Sequence, residues 1–165
     1  MEKEKKSSRI DMLLTIAVIA VVVFLLGHNL IKFYGMDFFT KGSEITEIPG
    51  YDPRSGTVFS ISIPKDKTVV INFWATWCAA CLKEIEEFKK LHTEIPVFGV
   101  MKEPVNKKTL ISLDIPYKII VADDSFFNSL MISSLPTTFI IKNNVVTEIY
   151  RGKLTASEVI SEISK

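Results

Sequence analysis

Residues 68–81 read Thr-Val-Val-Ile-Asn-Phe-Trp-Ala-Thr-Trp-Cys-Ala-Ala-Cys, and they hold both cysteines of the 165-residue chain. The run from Thr68 to Phe73 is apolar and rich in β-branched residues, as a central strand covered on both faces requires. Directly after it come Cys78 and Cys81, three residues apart. Two thiols at that spacing on the first turn of a helix can close a small disulfide ring and reopen it. Cys78 would sit where unpaired backbone N–H groups and the helix dipole stabilise a thiolate. Cys81, about one turn further in, can attack a mixed disulfide formed at Cys78. A purely structural staple is a poor explanation, because so short a loop hardly constrains the unfolded chain. Zinc wants four ligands, no third cysteine exists, and one of the two histidines, His28, lies in the apolar N-terminal segment.

From Met12 to Leu26 the sequence is almost continuously apolar, and Gly27 to Phe33 extends it with breaks only at His28, Asn29 and Lys32. Residues 12–33 are thus expected to form a transmembrane signal anchor, some twenty residues being about what ~30 Å of hydrocarbon requires. Lys3, Lys5, Lys6 and Arg9 in the tail, residues 1–11, hold the N-terminus in the cytoplasm by the positive-inside rule. The remaining chain is then delivered to the extracytoplasmic face. A cleaved signal peptide would show a small-x-small site, which the residues after Leu26 lack. A buried core helix would carry a polar stripe, and none is present.

Residues 1–31 contain four basic and three acidic side chains, leaving 16 of each sign in the rest. The outer portion is therefore neutral, which argues against a nucleic-acid partner. With both cysteines in one motif, no stray thiol is left to mispair outside the cytoplasm.

Residues 34–56 read as a linker marked by Gly42-Ser43, Pro49-Gly50, Asp52-Pro53 and Ser55-Gly56. Strands are expected over 57–63, 68–73, 96–101 and 117–122, and helical segments from Cys78 to about His92, over 106–113 and over 125–132. On the first helix Leu82, Ile85, Phe88 and Leu91 form an apolar face. Thr137–Lys142 and Val145–Tyr150 flank Asn143-Asn144, a pair suited to a two-residue hairpin. Thr155-Ala-Ser-Glu158 has the capping-box pattern and opens a final helix with Val159, Ile160 and Ile163 on its apolar face. Residues 57–165 are accordingly expected to form one α/β domain around a mixed central sheet flanked by helices.

Asn72-Phe-Trp-Ala-Thr-Trp-Cys-Ala-Ala-Cys81, with Glu84 following and Leu135-Pro136-Thr137-Thr138-Phe139 about 55 residues on, resembles the thioredoxin-like fold. The likeness is strongest to the membrane-anchored TlpA/ResA/CcmG (DsbE) group of thiol:disulfide oxidoreductases, and it covers roughly Thr57 to Ile163. It implies that Cys78 is the nucleophile of a redox-active disulfide and Cys81 the resolving thiol. It also implies that Trp77 shapes the contact surface, that Pro136 is a cis-proline facing the cysteines, and that Leu135 offers its backbone to substrate. Without the likeness, a trans turn proline is the default reading. Glu84 matches a glutamate proposed in the group to handle protons for the buried thiol. The position where thioredoxins proper carry a buried acid is here Asn72, which cannot take a proton. Read without the likeness, Glu84 is a solvated helix residue among Lys83, Glu86 and Glu87. The chain departs from the group at Ala79-Ala80, where x-Pro is usual, and in a shorter segment from Met101 to Asp123.

The function implied is reduction of protein disulfides, apocytochrome c in cytochrome c maturation foremost, with electrons resupplied by a membrane thiol transporter of the CcdA/DsbD type. No cofactor or metal is called for, and a monomer is expected. Two alternatives stand beside this reading. One is an oxidant or isomerase in the folding of exported proteins; a couple near −120 mV marks the oxidant and one below roughly −250 mV the reductant. The other is a Cu(I) metallochaperone, which in related folds uses CxxxC and a distant histidine. Here the spacing is CxxC and no histidine follows His92, itself read as a solvated helix-end residue.

Overall fold

The computed structural model describes residues 14–27, 39–103 and 106–164. The chain divides into two units, Met1–Phe38 and Phe39–Lys165. Within the first, residues 14–27 form helix α1, whose side chains are apolar on every side apart from Thr15, and exposed. Among the described residues, no helix is long and apolar enough to cross a membrane. The tail 1–11 and both ends of the expected 12–33 anchor lie outside the described residues, as does His28.

The second unit is built on one seven-stranded sheet in the order β2-β1-β5-β4-β3-β6-β7. Its strands are β1 (Glu47–Tyr51), β2 (Val58–Ser62), β3 (Thr68–Trp74), β4 (Val97–Met101), β5 (Lys118–Val121), β6 (Thr137–Lys142) and β7 (Val145–Arg151). Four helices join them: α2 (Ala79–Leu91), α3 (Lys107–Leu113), α4 (Asp124–Ser129) and α5 (Ala156–Ile163). β3, β4 and β5 run parallel, while β6 pairs antiparallel with β3 and β1 antiparallel with β5. This is the mixed sheet expected, and β3 lies in its interior between β4 and β6.

β3 alternates between two cores. Val70 and Trp74 pack with Ile85 and Phe88 of α2, Leu110 of α3 and Val159 of α5. Val69, Ile71 and Phe73 pack on the opposite face with Phe127 of α4, Phe139 and Val146. A strand buried on both faces has no solvent side to mark with polar residues, which is why 68–74 reads as a continuous apolar run. The one polar residue inside it, Asn72, is fully buried on the α2 face.

Two local expectations rest on turn and cap chemistry, and both are realised. Asn143 and Asn144 adopt φ of 54° and 67°, the doubly left-handed pair of a two-residue hairpin. Thr155 accepts from the Glu158 N–H while the Glu158 carboxylate accepts from the Thr155 N–H, closing the capping box.

The expected linker 34–56 needs correction over its described part. Glu47–Tyr51 is strand β1, paired along its length with β2, and Ile45 and Ile48 are buried in the second core. Pro49-Gly50 reads as a turn but lies inside this strand. Proline is accommodated because β1 meets β5 only at Tyr51↔Val121, so few ladder bonds are asked of its other edge. Gly50 is required there: a Cβ would stand 2.1 Å from the Val121 carbonyl oxygen.

Candidate active site

β3 ends at Trp74, and a short turn carries the chain over Ala75 and Thr76 to Cys78, the N-cap of α2. The Cys78 Sγ accepts the Cys81 backbone N–H at 3.1 Å, taking up one of the helix's otherwise unpaired donors. Cys78 and Cys81 are joined in a disulfide with their Cα atoms 5.2 Å apart. Cys78 is 8% exposed and Cys81 fully buried, so an incoming group meets the first sulfur. Trp77 beside it is 66% exposed, a large apolar surface next to the reactive pair. Ala79 and Ala80 are exposed and bring no charge.

The Leu135–Pro136 peptide bond is cis, as the resemblance implied. Leu135 is half-buried and packs against both cores, and the buried Pro136 leads into β6, the neighbour of β3. The Pro136 carbonyl accepts the Gly152 N–H at 2.8 Å, tying this segment to the end of β7.

Glu84 is not a solvated helix residue. It lies on the same face of α2 as Cys81, Ile85 and Phe88 and is fully buried beneath the helix. Each of its oxygens has a donor. Oε2 accepts from Asn72 Nδ2 at 2.6 Å, and Oε1 accepts the Leu154 backbone N–H at 2.8 Å. Burial pushes the carboxyl up to about 7, against the opposing pull of the Leu154 N–H, the Asn72 amide and the Lys153 charge. A carboxyl poised there exchanges its proton at neutral pH.

Of the neighbours of Glu84, Leu154 and Tyr117 escape a reading based on motifs, and Asn72 is read there only as a residue that cannot take a proton. Asn72 also donates to Thr138 Oγ1 at 3.3 Å, so the amide bridges α2 and β6. Leu154 contributes only its backbone, which carries no side-chain signal. Tyr117, buried on the same side of the sheet, is pushed up by burial and then by the negative charge of Glu84. The usable signal is Asn72 itself, a lone amide inside a strand of apolar residues. His92 is the C-cap of α2, half-buried with its ring 5.9 Å from that of Tyr117, rather than a free solvated end. Among the described residues, no group of His, Cys, Asp and Glu is placed to hold a metal ion.

Residues 52–165 match the Thioredoxin family. The chain belongs to the thioredoxin family. It is 26% identical over 176 residues to the thiol-disulfide oxidoreductase ResA of Geobacillus kaustophilus, covering 94% of each chain. Against ResA of Bacillus subtilis it is 26% identical over 154 residues, covering 86% of each. The thiol:disulfide interchange protein DsbE of Haemophilus influenzae is 34% identical over 79 residues, 44% of each chain. The crystal structure of a DsbF homologue from Corynebacterium diphtheriae is similar with TM-score 0.63 and 25% identity, over 74% of this chain and 86% of that one. This thioredoxin-family protein is a thiol-disulfide oxidoreductase of the ResA/DsbE type, with Cys78 and Cys81 as its cysteine pair.

Proposed function

We propose that the protein is a reductant of protein disulfides on the extracytoplasmic face of the cell membrane, with apocytochrome c as its first substrate. The Cys78 thiolate attacks a substrate disulfide, forming a mixed disulfide and releasing one substrate thiolate. Cys81 passes its proton to the Glu84 carboxylate, and the Cys81 thiolate attacks the Cys78 sulfur. The second substrate thiolate leaves, two electrons have passed to substrate, and the Cys78–Cys81 disulfide is restored. Trp77, the Leu135 backbone and Pro136 receive the extended substrate segment. A membrane thiol donor of the CcdA/DsbD type then re-reduces the pair.

The observation that carries the reducing direction is the buried carboxyl of Glu84 on the Cys81 face of α2. Negative charge beside a dithiol opposes thiolate formation, disfavours the reduced state and lowers the potential. Ala79 and Ala80 supply no compensating positive charge. The helix N-terminus at Cys78 acts in the opposite sense, favouring a thiolate there. The membrane anchor is supported by the apolar circumference of α1, since a helix apolar all round belongs inside protein or lipid.

The deciding measurement is the reduction potential of the Cys78–Cys81 pair in the full-length chain. A value below roughly −250 mV is expected, and one near −120 mV would make the protein an oxidant. Substrate identity follows from the Cys81→Ala variant, in which the mixed disulfide at Cys78 cannot resolve. Recovery of a c-type cytochrome or a maturation partner supports the pathway; many unrelated exported proteins would replace it with general disulfide quality control.

A further inference from the structure

We propose that Asn72 is a positioning residue whose side-chain amide turns over with each protonation of Glu84. The inference rests on Glu84 as the proton acceptor of the proposed reaction. In the arrangement seen, Asn72 Nδ2 donates to two acceptors, Glu84 Oε2 at 2.6 Å and Thr138 Oγ1 at 3.3 Å. The other end of the same amide, Oδ1, is buried without a partner. That pattern suits an ionised Glu84, which can only accept.

Once Glu84 takes a proton, its hydroxyl needs an acceptor. Rotating the Asn72 amide by half a turn places Oδ1 where Nδ2 stood. Oδ1 then accepts from the Glu84 hydroxyl and from the Thr138 hydroxyl, which is a donor as readily as an acceptor. The 2.6 Å separation fits an O–H···O bond as well as an N–H···O⁻ bond. Each orientation makes two bonds and leaves one buried end of the amide unsatisfied. Neither protonation state of Glu84 is therefore penalised by its partner, and the proton moves without rearrangement of the backbone. An acid at position 72 would not allow this, because two adjacent carboxylates cannot both ionise. The other titratable or charged groups bearing on Glu84 are Cys81 on its own helix, Tyr117 ahead of β5, and Lys153 in the turn after β7.

The test uses the full-length oxidised chain in detergent micelles, in which the disulfide sulfurs do not titrate. With asparagine labelled in nitrogen-15, the Asn72 side-chain NH2 signals are assigned by their loss in Asn72→Leu. They are followed across neutral pH, together with the carboxyl carbon of Glu84. The signals are expected to shift with the same midpoint as Glu84. In Glu84→Gln the Leu154 N–H holds the new side-chain oxygen, which turns the NH2 toward Asn72 as a fixed donor. The Asn72 signals should then hold the acid-side position at every pH. Signals that stay fixed, or that hold the alkaline-side position in Glu84→Gln, overturn the proposal. Unchanged disulfide-exchange rates in Glu84→Gln would remove Glu84 as the base while leaving this titration result intact.

Discussion

The Oε1 of Glu84 accepts the backbone N–H of Leu154 at 2.8 Å, joining the helix that carries Cys81 to the turn before the last helix. The bond secures a carboxyl that burial raises from its ordinary 4.5 to about 7. Between those values the folded chain holds a proton that the unfolded chain releases. The contribution of Glu84 to stability is therefore greatest below pH ~4.5, falls as pH rises, and is gone above pH ~7. Its size is on the order of 3 kcal/mol. Urea unfolding of the wild type and Glu84→Gln at a series of pH values checks this. Their stability difference should shift against the wild type across that window, and a difference independent of pH would sink the assignment.

The potential of the cysteine pair should respond to charge at the exposed position 80. A cation there stabilises the Cys78 thiolate and with it the reduced state. In Ala80→His the potential should rise by on the order of 30 mV, equivalent to about 1.4 kcal/mol for a two-electron couple. Equilibration with glutathione measures it. A fall would show that thiolate stabilisation does not govern this pair.

Trp77 is exposed enough that its removal should leave the fold intact while depriving a protein substrate of an anchor. For Trp77→Ala, reduction of a protein disulfide should slow about tenfold, the loss of roughly 1.4 kcal/mol of contact. Reduction of a small-molecule disulfide should hardly change. Equal slowing of both would place Trp77 in the chemistry rather than in docking.

Gly50→Ala should be costly far from the sulfurs. The added methyl meets the Val121 carbonyl oxygen at 2.1 Å, so β1 must part from β5. A loss of at least ~2 kcal/mol is expected from such overpacking. It appears as a lower denaturant midpoint, and wild-type stability would mean that β1 can shift freely at this point.

The legible parts of the sequence were those where one residue type has a single local use. Asn143-Asn144 marks its hairpin because both positions need positive φ, and Thr155 with Glu158 marks its helix start through reciprocal bonds. β1 was hidden because Pro49 and Gly50 serve equally in turns and at sheet junctions, and only the neighbouring strand decides between them. Glu84 was ambiguous for a related reason. Its immediate neighbours Lys83, Glu86 and Glu87 are charged, while the groups that receive it, Asn72 and Leu154, are distant in sequence. Burial of an acid depends on partners from other elements, and these appear only when the chain is folded.

The stretch from Arg151 to Thr155 contains no group that reacts with sulfur, yet two of its amides reach the site. The Gly152 N–H holds the Pro136 carbonyl, and the Leu154 N–H holds Glu84. The segment proposed to receive substrate and the acid proposed to handle protons thus share a single brace of main chain. A side-chain substitution at the exposed Arg151 or Lys153 leaves both bonds in place, whereas Gly152 holds a positive φ, Leu154 a buried side chain and Thr155 the helix cap. An inserted or deleted residue loosens the proline and the acid together. This stretch should accordingly be permissive at Arg151 and Lys153 alone and strict in length.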